Sequence, residues 1–176
     1  MAAPLRVILG GLLFAGTALA LAAPAAAQTA GTQTFRGVIV TSGSSGARTV
    51  VSSVVVAKGV FDGVGRVVEI PNLPTDPDNI SRDDLVFADG SIHIVSTIVD
   101  FSVAQNGQSC HFAGSIRQTV EVVGGTGRFA AASGSFPDAT VGGPALLARS
   151  PDGSCASVQA VLHETDIFEM SGMLSF

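Results

Sequence analysis

The chain has 176 residues, with 9 lysines and arginines against 14 aspartates and glutamates, a formal net charge of -5. It is 47% hydrophobic, yet it has no tryptophan and no tyrosine. Lys58 is the only lysine and the arginines are scattered, so no basic patch exists and nucleic acid is excluded as the expected partner.

The first element in chain order is a targeting segment. Arg6 gives a basic start, Val7 to Leu21 is an apolar run, and Pro24 precedes Ala25-Ala26-Ala27, an A-x-A cleavage pattern. Residues 1–27 are read as a signal peptide, with the mature chain starting near Gln28. The competing reading is an uncleaved membrane anchor, for which the run is short. No cysteine follows the run, so no lipid attachment is expected there. Residues 28–176 are one domain's worth of chain, expected to be secreted or periplasmic, and their acidity is ordinary for a soluble exported protein.

Gln33 to Val40 reads as the first strand, ended by the small residues Thr41 to Ala47. Thr49 to Ala57 is dense in valine, whose branched Cβ suits a pleated surface. Val60 to Ile70 reads as another strand, with Gly63 and Gly65 marking a bend or bulge. Pro71 to Asp84 is a long polar connection. Asp76, Asp78, Asn79 and Asp83 invite a calcium reading, but the turn glycine and closing glutamate of the EF-hand template are missing. A surface loop capping a short helical turn at Ser81 is the preferred reading. Asn79-Ile80-Ser81 is a glycosylation sequon.

Asp89-Gly90 between apolar runs signals a hairpin. Its second arm is apolar on both faces, with Ile92, Ile94 and Ile98 on one and Val95, Val99, Phe101 and Val103 on the other. Such a strand is expected to be covered on both sides. From Phe112 the alternation becomes strict. Phe112, Gly114, Ile116, Val120 and Val122 share a face, with Gln118 the exception, and His111, Arg117, Thr119 and Glu121 share the other. The corner Gly124, Gly125, Gly127, Phe129 to Gly134 leads to a weaker strand over Ser135–Val141, a loop over Pro144–Gly153, and two further strands over Cys155–His163 and Ile167–Phe176. Gly125 and Gly127 are expected to supply special backbone angles and Phe129 to plug one end of the fold. About eight strands without a normal amphipathic helix describe an all-β barrel or sandwich.

Cys110 and Cys155 are the only cysteines, and an even count in an oxidising compartment reads as one disulfide. A thiol nucleophile or a metal ligand is the alternative, without a partner motif to support it.

Three motifs occur in order: Gly59-Val60-Phe61-Asp62-Gly63-Val64-Gly65, Phe87-Ala88-Asp89-Gly90-Ser91-Ile92, and Val123-Gly124-Gly125-Thr126-Gly127-Arg128-Phe129-Ala130-Ala131-Ala132-Ser133-Gly134. Together they resemble the allene oxide cyclase and dirigent-like β-barrel superfamily, including its exported bacterial members of unassigned activity. The resemblance implies an eight-stranded antiparallel β-barrel with an apolar lumen, often assembled as a homo-oligomeric trimer. Dirigent-type pockets use tyrosines, which this chain lacks. Plant allene oxide cyclases use a lumen glutamate near an early strand, and Glu69 is the matching candidate. A cysteine is a further pocket group there, whereas both cysteines here are assigned to the disulfide.

The residues offer few chemical candidates. Glu69, Glu121 and Arg117 are the catalytic ones. If its face points into the lumen, Arg117 would hold a carboxylate and Glu121 would act as acid or base; if outward, they form a solvated face, the favoured reading. Arg66, His93 and Phe101 are the ligand-binding candidates, with Arg66 and Glu69 on opposite faces by parity. His93, His111 and His163 lack metal-ligand spacing, so no metal is expected. There is no G-x-S-x-G elbow, and the glycine corner lacks the Walker Lys-Ser/Thr pair. No cofactor is expected. The leading functional reading is a barrel that binds a lipophilic small molecule without transforming it. The alternatives are a cofactor-independent cyclase or isomerase and, third, an outer-membrane barrel, which the absence of tyrosine and tryptophan girdles disfavours.

Overall fold

The computed structural model describes residues 29–44, 47–156 and 160–176. The signal segment and its cleavage site lie outside the described residues, as does part of the strand expected over Cys155–His163. Eight antiparallel strands close into a barrel in sequence order. They are β1 (Ala30–Ser44), β2 (Ala47–Gly59), β3 (Gly63–Ile70), β4 (Ile80–Phe87), β5 (Gly90–Asn106), β6 (His111–Gly125), β7 (Ser133–Leu147) and β8 (Val161–Ser175). β8 pairs back onto β1 from Ala30↔Ser175 to Ser42↔His163, which closes the ring. Among the described residues no helix is long and apolar enough to cross a membrane.

Alternation decides what lies inside. Phe35, Val55, Val67, Leu85, Ile92, Val120 and Phe168 fill the interior from seven strands. β5 differs from its expected two-sided cover. Its pairing with β6 shifts register between Ile98 and Asp100, so Val99 is an extra residue. A bulge of this kind flips the parity beyond it. Phe101 then pairs with Ile116 and shares its face beside the side cavity, while Val99 lies on the outer face; both stay exposed, at 54% and 52%, because β5 runs past the barrel wall here.

Several boundaries moved. β4 begins at Ile80, so Ser81 to Asp84 are strand residues and the helical turn at Ser81 does not form. β7 runs on through Gly142-Gly143-Pro144, where the weaker strand was expected to stop. Pro144 pairs with Ala113 of β6 but falls where the ladder to β8 skips from Gly142 to Ala145, a place that needs no N–H. β8 is continuous through His163 to Ile167, merging the two last expected strands.

Cys110 and Cys155 form a disulfide across 45 residues. It joins the β5–β6 turn to the β7–β8 connection, outside the strands, beside a small cluster of Phe112, Ala145, Leu147 and Val161.

One end of the barrel is closed by phenylalanine. Phe61 lies 4.8 Å from Phe129 and 5.0 Å from Phe87 between ring centres, and Phe129 lies 5.0 Å from Phe176. These are favourable aromatic separations. The Arg128 guanidinium covers the plug from outside, 5.1–5.6 Å from the Phe61, Phe129 and Phe176 rings, and pairs with Asp89 at 3.4 Å. The glycine corner positions this cap. β6 ends at Gly125, a 3₁₀ turn spans Gly127–Phe129, and Phe129 is 1% exposed. Gly127 has φ +56, and a Cβ there would overlap the Asp89 carbonyl oxygen. Gly125 does not have a special angle; it is required because its Cα runs between the carbonyl oxygens of Ser91 and Phe129. The hairpin at Asp89-Gly90 forms, with Phe87 paired to Gly90 and Ala88-Asp89 as its loop.

Candidate functional site at the open end of the barrel

The opposite end is open, and the same alternation that places apolar residues in the plug places polar ones there. On β3, Val67 is followed two residues later by Glu69. On β4, Leu85 is preceded two residues earlier by Asp83. On β8, Phe168 is preceded by Asp166 and Glu164, and on β1 Ile39 is followed by Thr41. A cup of about 600 Å³ opens among these strands. Its rim includes Thr41, Arg48, Glu69, Asp83 and Asp166, and its floor is mostly apolar, Ile39, Ile98, Ile116 and Val141 with Gln118 among them. Deeper in the lumen only about 50 Å³ remains, lined by groups such as Leu85, Ile94 and Met170. The barrel is therefore filled below the cup, and any ligand would sit at the mouth. The volume is in the range of small-molecule sites.

A side opening adjoins the cup. β2 and β3 pair only from Val55↔Gly65 to Ala57↔Gly63. Beyond that, Ser53 Oγ donates to the Val67 carbonyl at 2.8 Å and accepts from the Val67 N–H at 3.0 Å, a side chain standing in for the ladder. The strands then diverge around a groove of about 550 Å³ that shares Arg48 and Glu69 with the cup.

Electrostatics set the cup apart from an ordinary barrel mouth. Glu69 and Asp83 are direct cross-strand partners, which brings like charges close. Burial, then the charges of Glu69 and Asp84, pushes the Asp83 carboxyl up to about 6. Burial, then Glu164, likewise raises Asp166 to about 6, with Arg48 opposing and Glu69 reinforcing the shift. Arg48 is ion-paired with Glu164. Arg82 also reaches the cup, but its Nε and Nη2 bond the Asp76 carboxylate at 2.7 and 3.0 Å. That pairing, with the Leu73 N–H second, holds Asp76 down to about 2. Asp76 is thus committed to its loop, and no group of the described residues is arranged to hold a metal ion.

The sequence candidates distribute unevenly. Glu69 lines the cup, and Phe101 lines a side cavity of about 130 Å³ beside Arg48, Glu164 and Asp166. Arg117 and Glu121 are exposed and alternate with the interior residues Ile116, Val120 and Val122, so they belong to the solvated outer face. Arg66 is also exposed, opposite in parity to Val67. His93 lies outside between the interior residues Ile92 and Ile94, with Nδ1 2.5 Å from the Asp84 carboxylate. None of these four faces the floor of the cup. Asp83, Asp166, Glu164, Arg48 and Thr41 were missed. The signal for two of them was present: Asp83 keeps step with Leu85 and Phe87, and Asp166 with Phe168 and Met170.

Fold and site together define a small antiparallel barrel, plugged by phenylalanine at one end and open to an acidic, apolar-floored cup at the other. No family model matches the chain, and no curated protein or solved structure matches it either.

Proposed function

We propose that this is an exported barrel that binds a small lipophilic molecule in the cup at its open end. The observation that carries the reading is the coexistence of a mostly apolar floor (Ile39, Ile98, Ile116, Val141) with a polar rim in one concavity of about 600 Å³. The N-terminal targeting pattern and the disulfide support export. The outward charges Arg36, Arg66, Arg117, Glu121 and Glu169 and the apolar interior weigh against a membrane barrel, which has the inverse arrangement. The test is titration with an environment-sensitive apolar dye. Saturable fluorescence enhancement is expected, lost when Ile116→Arg places a charge on the floor while circular dichroism stays that of the folded barrel. No enhancement, or enhancement unchanged in that variant, defeats the reading.

The cyclase or isomerase reading is the second, and the observation favouring it is that two cup carboxyls hold their protons to about pH 6. Such groups are matched to acid or base work near neutrality. The allene oxide cyclase resemblance adds Glu69, which lines the same cup. Mass spectrometry of an unsaturated fatty epoxide before and after incubation tests it, with a rearranged product expected from wild type and none from Asp83→Asn.

The resemblance also supports self-association. The outer face offers a row of Ile167, Val38 and Val54 across β8, β1 and β2, and Val56 beside Val64 across β2 and β3. Ile167 and Val64 are 62% and 68% exposed. A trimer is the assembly proposed to cover this face, and light scattering of the purified protein measures it.

A further inference from the structure

Resting on the lipophile-binding reading, we infer that the molecule the cup takes is a hydrophobic amine, with its ammonium among Glu69, Asp83 and Asp166 and its hydrocarbon on the Ile39–Ile116–Val141 floor. The charge balance of the cup argues for it. Four carboxyls line the cup or its side cavity: Glu69 from β3, Asp83 from β4, and Glu164 and Asp166 from β8. Two guanidiniums share the space, and each already has a partner, Arg48 in Glu164 and Arg82 in Asp76; a third, Arg66, lines the adjoining groove but stands on the exposed outer face of β3, opposite in parity to Glu69. Among the described residues Glu69, Asp83 and Asp166 take part in no ion pair, so the rim lacks a cation that a ligand would supply.

A second observation is independent of charge. The Thr41 hydroxyl is buried, the residue being 3% exposed, and has no hydrogen-bond partner. Thr41 is a lining residue of the same cup and is the register partner of Glu164. An unsatisfied buried hydroxyl is uncommon; Thr41 Oγ1 is screened from the cup as it stands, and a turn of the Thr41 side chain would bring it to an ammonium N–H at the rim. A fatty acid would place its carboxylate against three others, a like-charge contact that disfavours binding. A metal ion is not the better occupant, because no group of three or more described His, Cys, Asp or Glu side chains is arranged to hold one.

The groups that face these carboxyls set the pH response. Asp83 meets Glu69 across the β3–β4 ladder, Arg82 and Asp84 flank it on its own strand, and its β5 partner Ile94 is apolar; His93 lies on the outer face, bonded to Asp84. Asp166 meets Glu164 on its own strand, Arg48 and Glu69 across the cup, and the apolar Ile39 on β1. Both acids are neutral below about 6. Attraction for an ammonium is therefore full at pH 7.5 and fades as the pH falls through 6, with the midpoint displaced downward in the complex because the cation stabilises the carboxylates.

Isothermal titration of the disulfide-intact protein with octylamine, octanoate and octanol tests the inference. At pH 7.5 the amine is expected to bind at least about tenfold tighter than octanoate and tighter than octanol. At pH 5 its advantage over octanol should shrink by at least about fivefold. Asp166→Asn and Asp83→Asn, which remove buried charge without changing shape, should each weaken the amine about fivefold and narrow its advantage over octanol by a similar factor. Octanoate binding as tightly as octylamine, or an amine affinity indifferent to both substitutions, overturns the inference while octanol binding keeps the lipophile reading standing. Failure of all three probes to bind overturns both.

Discussion

Replacing Asp83 by asparagine should stabilise the protein above pH 6 and do nothing at pH 4. The folded chain raises this carboxyl to about 6, first by burial beside Leu85 and then through the charges of Glu69 and Asp84, against an ordinary value of 3.8. Between those two values the folded state holds a proton that the unfolded state has lost. Stability therefore falls as pH rises from about 4 to about 6, and the cost stays in full above that. The interval corresponds to a ceiling of about 3 kcal/mol, which solvent reaching the open mouth reduces to about 1–2 kcal/mol. Asparagine keeps the shape and cannot ionise, so it removes this cost. For a domain of this size the gain is about 3–6 °C in Tm at pH 8. Scanning calorimetry of wild type and variant at pH 4, 5, 6, 7 and 8 measures it, and suits a chain without tryptophan or tyrosine. A Tm difference that is the same at pH 4 and pH 8, or a variant less stable than wild type at pH 8, refutes the argument. Asp166→Asn should act in the same direction and over the same pH window, since burial and Glu164 raise that carboxyl to about 6 even with Arg48 opposing. At the acid end the sign reverses: Asp76 is lowered to about 2, so its contribution is present above 3.8 and lost as pH falls towards 2.

Three further outcomes are expected. Gly127→Val forces a branched side chain into φ +56 and against the Asp89 carbonyl, and should cost roughly 2–4 kcal/mol; an unchanged Tm would refute the account of the corner. Breaking the disulfide with Cys110→Ser and Cys155→Ser frees a 45-residue loop and should cost about 4 kcal/mol on the loop-entropy relation, read as a lower urea midpoint. Arg128→Ala uncovers the Phe61, Phe129 and Phe176 rings and should cost about 1 kcal/mol, with dye binding in the distant cup unaffected; weakened dye binding would show that the two ends are coupled.

How much of this was legible in the residues follows from what alternation encodes. Period-two patterning assigned Phe112, Ile116, Val120 and Val122 to one face and Arg117 and Glu121 to the other, and the structure puts those faces inside and outside. The pairing of the two cysteines and the plugging role of Phe129 were legible for similarly local reasons: an even count, and an aromatic within a glycine-rich turn. Asp83 keeps step with Leu85 and Phe87, but that signal was masked because the neighbouring Pro71 to Asp84 have the composition of a solvated loop. It became a site residue because β4 starts at Ile80 and pairs along both edges. Asp166 was lost in the same way, just outside an expected strand boundary.

What the sequence by itself determined is the all-β class and which residues of each strand share a face, because these depend on neighbours two positions apart. Only the tertiary structure decided where the faces meet. Barrel closure through β8 and β1 brings Asp166 towards Glu69 and Asp83, the bulge at Val99 puts Phe101 on the face of Ile116, and the short β2–β3 ladder opens the wall beside Arg48. Burial and charge raise the two acids only after strands distant in sequence have been assembled around them, and no local pattern carries that information.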